Sequence, residues 1–190
     1  ETVVGFTLGT ALGTLVAVGL WWSDFAARIL DPYLVVLNAL PKTALGPIFI
    51  VWMGAGTGSI IAMTLAISII VTILNMHMGF LSTDPRKVQL MRTLGASRWQ
   101  IFARLVFPSN YATLFNTLKV NVGLSWVGVI MGEFLVSKAG LGYLIVYGSQ
   151  VFNMDLVMTT VLLLAVAAVV MYQFVLWLEK LLEKRLGVIV

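Results

Sequence analysis

Arg92, Arg98 and Arg104 fall within the stretch MRTLGASRWQIFARLVFP, residues 91–108, with Gly95 between the first two and Pro108 at its end. Guanidinium groups are rigid, forked donors suited to carboxylates, carbonyls and phosphates. Glu133 is the next candidate, because an ionisable side chain inside an apolar run is costly in lipid unless it faces protein or water. Lys119, Asn75 and His77 are the other polar groups set in apolar sequence. The chain has no cysteine and one histidine, which excludes disulfides, thiolate sites, cysteine nucleophiles and histidine-based metal clusters or triads. Recognition and pairing are the chemistry on offer. No catalytic set, cofactor or metal site is expected.

The elements that hold these groups are set by composition. Of 190 residues, 60% are hydrophobic and 11% charged, against about 45–50% apolar and about 25% charged in soluble domains. So much apolar surface requires the bilayer as solvent. The net charge of +4 does not point to nucleic acid, since five of the twelve Lys and Arg lie between Arg86 and Arg104. That concentration reads as a cytoplasmic loop under the positive-inside rule.

Residues 3–22 carry no charge and are long enough to cross the membrane. Gly5, Gly9 and Gly13 form a stripe suited to close helix packing, and Trp21 and Trp22 end the span as an interfacial belt. After a polar break at 23–32, a second span at 33–54 is interrupted by Pro41, Lys42 and Pro47, which marks a kinked helix facing other helices. Gly54, Gly56 and Gly58 make a turn. Further spans are expected at 60–81, 112–136 and 156–178, with a Gly-rich connection at 137–155 and an amphipathic extension, EKLLEKR, at the end. With 82–108 in the cytoplasm, alternation of sides puts 23–32 and the C-terminal extension there too. Five spans are visible, and one further span preceding Glu1 is expected. The chain reads as one transmembrane domain, 1–190, without repeats.

The insert itself is patterned. Asp84 precedes Pro85, a strong helix start, and Val88, Met91 and Leu94 recur at intervals of three. Gly95 suits the left-handed position that ends a helix. Ser97 can cap a second short helix on which Trp99, Phe102, Leu105 and Val106 share a face, and Pro108 stops it. Two short amphipathic helices meeting at a glycine cannot span. Their apolar faces cover either a cytosolic partner or the lipid headgroup region. Lys119, near a helix end, is expected to snorkel. Glu133 either bonds at the outer interface, to Lys138 or a backbone donor, or takes part in gating. His77 and Asn75 read as packing or hydrogen-bonding residues.

The insert resembles the cytoplasmic coupling loop, the "EAA" motif, of bacterial ABC importer permeases. Gln89-Leu90-Met91 stands in the Glu-Ala-Ala place, Gly95-Ala96-Ser97 follows at the family's glycine, and Val106-Phe107-Pro108 matches its apolar-Pro end. Gln89 keeps hydrogen bonding but lacks the acidic charge. LPKTALGPIFIVWMGAG at 40–56 is similar to the Pro-x-x-Ala-x-x-Pro-x-x-x-x-Trp-x-Gly segment of nitrate-, sulfonate- and taurine-type permeases. GEFLVSKAGLGYLI at 132–145 and FNMDLV at 152–157 look like that subgroup's later motifs, in the same order.

The resemblance implies an all-α, polytopic bundle of the type I importer permease kind in a bacterial cell membrane. It implies a pore formed with a second permease subunit, an identical copy by expectation. Cytosolic ABC ATPase subunits and an extracytoplasmic substrate-binding protein complete the assembly, and the cargo is a small solute such as an anion or vitamin precursor. It places ATPase coupling on Gln89, Arg92, Leu94, Gly95, Ala96, Ser97, Arg98 and Trp99, and pore or gating roles on Glu133, Pro41 and Pro47. The chain has no Gly-x-x-x-x-Gly-Lys-Ser/Thr phosphate loop, so ATP hydrolysis is expected on a separate subunit. The competing class is a gradient-driven carrier, which also uses broken helices but has no use for the capped insert.

Overall fold

In a computed structural model, the chain is described over residues 1–136 and 139–186; of Thr43, Arg185 and Leu186 only the backbone is described. The glycine stripe decides how the bundle starts. Helix α1 (Thr2–Trp22) lies along α4 (Thr57–Leu81), and Gly5, Gly9 and Gly13 meet Thr64, Ser68 and Thr72 in register. A Cβ on Gly5 would stand 2.5 Å from Thr64 Cγ2, one on Gly13 would stand 2.6 Å from Thr72 Cβ, and one on Gly9 would overlap Ser68 Oγ. The facing hydroxyls donate to their own helix, at 2.9 Å from Thr64 to Ile60 O, 3.0 Å from Ser68 to Thr64 O and 2.8 Å from Thr72 to Ser68 O. Their methyl and methylene groups are thereby free to pack against the glycines.

Helix α8 (Tyr111–Val136) closes the other side of α4, antiparallel to it, with Gly128 over Thr64 and Gly132 over Ile60. Asn121, fully buried, donates to Thr10 Oγ1 at 2.9 Å and to Thr72 Oγ1 at 2.7 Å. One side chain thus ties three helices where no water can compete. Helix α10 (Met154–Leu186) packs on α8 through Val175, Phe115 and Val122. Almost all of its apolar length is exposed on the single chain, a surface that lipid or another chain must cover.

Among the described residues four helices are long and apolar enough to cross a membrane: α1, α4, α8 and α10. The interrupted span expected at 33–54 is divided. Helix α2 (Asp24–Ala39) starts earlier than expected, inside the polar break, because Ser23 Oγ accepts from Ala26 N at 3.2 Å and Asp24 favours the positive helix end. It stops before Pro41, a 3₁₀ turn follows at Lys42–Leu45, and α3 (Gly46–Met53) carries Pro47 in its first turn. The expected connection at 137–155 contains a ten-residue helix, α9 (Leu141–Gln150), packed against α8 and α10. The C-terminal extension continues α10 rather than forming a separate element.

Lys119 does not snorkel. Its Nζ pairs with Glu179 of α10 at 2.7 Å, both side chains being mostly buried. A helix-embedded cation with a carboxylate in reach avoids the cost of exposure to lipid.

Candidate functional site

The insert is built from its caps outward. Asp84 Oδ1 accepts from Arg86 N at 2.8 Å and Pro85 opens α5 (Pro85–Thr93). The end of α5 is a Schellman turn: Gly95 N donates to Arg92 O at 3.0 Å and Ala96 N to Met91 O at 3.0 Å, with Gly95 at φ +78°. No atom would crowd a Cβ on Gly95, so the constraint there is backbone conformation, not space. Ser97 and Gln100 then form a reciprocal capping box at 3.3 and 2.8 Å that starts α6 (Arg98–Ile101). The chain next widens into a π turn at Phe102–Val106 before α7 (Phe107–Ser109). Ile101, Phe102 and Val106 are buried, while Trp99 is 62% exposed and borders Phe102 at 6.2 Å between ring centroids.

Two anchors fix this unit to the bundle. Asn110, also buried, donates to Thr83 Oγ1 at 3.0 Å and to Val106 O at 2.8 Å, tying the insert's exit to its entry. At the other side Arg98 lies over the Trp21 ring at 5.6 Å and donates to Trp21 O at 3.4 Å. Trp21 and Trp22 form an aromatic seat with Phe102 at centroid distances of 5.0 and 6.0 Å, and Trp22 reaches Trp99 at 5.9 Å. Sequence reasoning assigned both tryptophans to an interfacial belt and passed over Asn110. A lone Asn after a proline carries no periodic signal.

The expected coupling residues divide into two groups. Gln89, Arg92 and Arg98 line a cleft of about 620 Å³ between the insert and the bundle, opposite Trp21, Asp24 and Phe80. Leu94 is 74% exposed and Trp99 points outward, as does Leu90 at 60%. Leu94 therefore leaves the face on which Val88 and Met91 pack against the core, because it occupies the last position before the left-handed turn. Gly95, Ala96 and Ser97 form the rigid corner between the groups. A positively charged inner wall and an apolar outer face are thus built on one capped unit.

At the opposite end of the bundle, Glu133 accepts from Gly142 N at 2.5 Å, in the first turn of α9. Gly140 and Gly142 leave room for it, since a Cβ on either would run into the Glu133 side chain. The carboxylate sits where the positive end of a helix favours an anion. Lys138, the other expected partner, lies outside the described residues. The start of α3 at Gly46, next to Pro47, abuts Leu135, two residues and about 200° round α8 from Glu133. Among the described residues, no group of three His, Asp or Glu side chains could hold a metal ion.

A multi-pass helical bundle with a capped insert between two of its spans is the architecture of a type I ABC importer permease. The chain shares that fold with a chain of the inward-facing MetNI methionine ABC transporter, at TM-score 0.73 and 18% identity over 94% of this chain and 88% of the other. Residues 9–188 match the family described as binding-protein-dependent transport system inner membrane component, and the chain belongs to it.

Among curated relatives, the formylaminopyrimidine transport permease ThiX of Halalkalibacterium halodurans is 33% identical over 74% of this chain and 56% of its own length. The aliphatic sulfonates transport permease SsuC of Bacillus subtilis, itself a putative assignment, is 26% identical over 97% of this chain and 67% of its own. The riboflavin transport system permease RibX of Chloroflexus aurantiacus is 27% identical over 83% and 59%. The chain therefore spans little more than half the length of several relatives it matches.

Proposed function

We propose that the chain is the pore-forming subunit of an ATP-driven importer, worked by a separate cytosolic ATPase through the insert at 82–108. One observation carries this reading: Leu90, Leu94 and Trp99 stand exposed on a unit whose two helices are fully capped and anchored at both sides. Exposed apolar side chains on a rigid platform suit a protein partner, which buries them and takes the motion. The insert's five basic residues support a cytoplasmic location for it and for the C-terminal end of α10, in a bacterial inner membrane. An extracytoplasmic binding protein delivers the solute to the opposite end, and a second, identical permease completes the pore.

In this reading Gly95, Ala96 and Ser97 set the corner angle, Leu94 and Trp99 fill the partner's groove, and Gln89, Arg92 and Arg98 hold the platform to the bundle. Glu133 fixes α9 across the outer end, and the break at Pro41 and Pro47 lets α2 and α3 shift separately during gating. The relatives' cargoes favour a small organic solute, either a sulfonate-like anion or a vitamin precursor. Hydrolysis resides in the ATPase subunit.

The test is reconstitution of the full-length protein with its ATPase and binding protein in liposomes. Gly95→Asp is expected to abolish solute-stimulated ATP hydrolysis while membrane insertion is unchanged. Normal transport by that variant would remove the coupling assignment.

A further inference from the structure

We propose that the cleft between the insert and the adjoining ends of α1, α2 and α4 holds the headgroup phosphate of an anionic phospholipid. The cleft, about 620 Å³, is within the size range of small-molecule sites. Its charged groups converge from three elements: Arg92 near the end of α5, Arg98 at the start of α6 and Asp24 at the start of α2. The same three also border a smaller cleft of about 310 Å³. Among the described residues, neither arginine has a carboxylate within 4.0 Å. Arg98 donates to Trp21 O at 3.4 Å and keeps its other N–H groups free for a ligand. Two forked guanidiniums facing one space suit phosphate oxygens.

Two further features point to a lipid rather than a soluble anion. Trp21 lines the cleft and Trp22 follows it at the end of a membrane span, and tryptophans so placed settle at headgroup depth. An apolar path also leads from the cleft along α4. Leu81 lines it and Met78 lies one turn back on the same side, at 64% and 67% exposed. Acyl chains need such a track toward the bilayer core, whereas an inorganic anion does not. Charge then sets the lipid class. Two guanidiniums against one carboxylate leave one positive charge in excess, which a phosphodiester monoanion neutralises. A free phosphate carries nearly two charges, and a zwitterionic headgroup returns a cation to the same walls. Basic pockets at this depth are a recurrent form of lipid recognition. The inference rests on the membrane placement of the bundle and not on ATPase docking, which is assigned above to the outward Leu90, Leu94 and Trp99.

The experiment is native mass spectrometry of the full-length protein in detergent, titrated with phosphatidylglycerol and, in parallel, with phosphatidylcholine of the same acyl chains. One saturable phosphatidylglycerol per chain is expected, preferred about tenfold over phosphatidylcholine. Arg92→Gln and Arg98→Gln are each expected to weaken it about tenfold, with unchanged melting temperatures. Arg86→Gln, the same charge change on the insert but outside the cleft, is expected to leave it unaltered. Millimolar inorganic phosphate is expected not to displace the lipid. Equal weakening by Arg86→Gln, or equal affinity for phosphatidylcholine, would overturn the proposal. Displacement by inorganic phosphate would make the cleft a site for a soluble anion, and loss of the lipid on adding the cognate ATPase would give it to that partner; either result overturns the lipid assignment.

Discussion

The seam between α1 and α4 and the insert between α4 and α8 both depend on glycine, for opposite reasons. In the seam Gly5, Gly9 and Gly13 are there for what they lack, since any Cβ would collide with the facing helix. In the insert Gly95 has open space around its Cα and is there for its φ of +78°. The seam is therefore held by contact between distant segments, and its failure is global. The insert is held by bonds among near neighbours, and its failure is local. The importer proposed above would need both: a bundle that does not come apart, and an insert that keeps its shape while exposed.

Substitutions can break this contrast. Gly9→Val forces its side chain into Ser68 and is expected to cost about 3 kcal/mol, read as a large drop in the melting temperature in detergent. Gly95→Ala strains one residue into a left-handed conformation at about 1–2 kcal/mol. Its effect should stay within the insert, as faster tryptic cleavage at Arg92 and Arg98 with an unchanged global melt. A global loss for Gly95→Ala as large as that for Gly9→Val would erase the distinction.

Asn121→Leu sharpens the seam side. It removes two interhelical hydrogen bonds, each worth roughly 0.6 kcal/mol in membrane proteins, so a melt lowered by about 1 kcal/mol is expected. Arg98→Lys keeps the charge over Trp21 but loses the planar fork. It should cost roughly 0.5 kcal/mol, visible as a modest rise in insert proteolysis alone.

Much of this was legible in the sequence because membrane and cap chemistry are local. An uncharged run of twenty residues, an Asp-Pro start, a Gly between two amphipathic segments and a capping Ser97 each carry their own reason, and each lies where expected. The Schellman turn at Gly95 and the capping box at Ser97 and Gln100 follow from neighbours alone.

What was not legible depends on partners far along the chain. Lys119 read as a snorkelling residue because Glu179, sixty positions on, was invisible as its partner. Trp99 keeps its place beside Phe102, at 6.2 Å between ring centroids, but stands at the exposed rim of that face, because its other neighbour is Trp22 of the distant α1. Helix α9 was missed because its glycines suggest a loop, whereas Gly140 and Gly142 make room for Glu133 to cap it.

The central claim is that the exposed outer face of the insert, not the bundle, engages the ATPase. It is tested most directly by co-purifying the full-length permease and its cognate ATPase from membranes, comparing wild type with Leu94→Asp. For Leu94→Asp a monodisperse permease with an unchanged melting temperature and no bound ATPase is expected. ATPase retained at wild-type stoichiometry would contradict it.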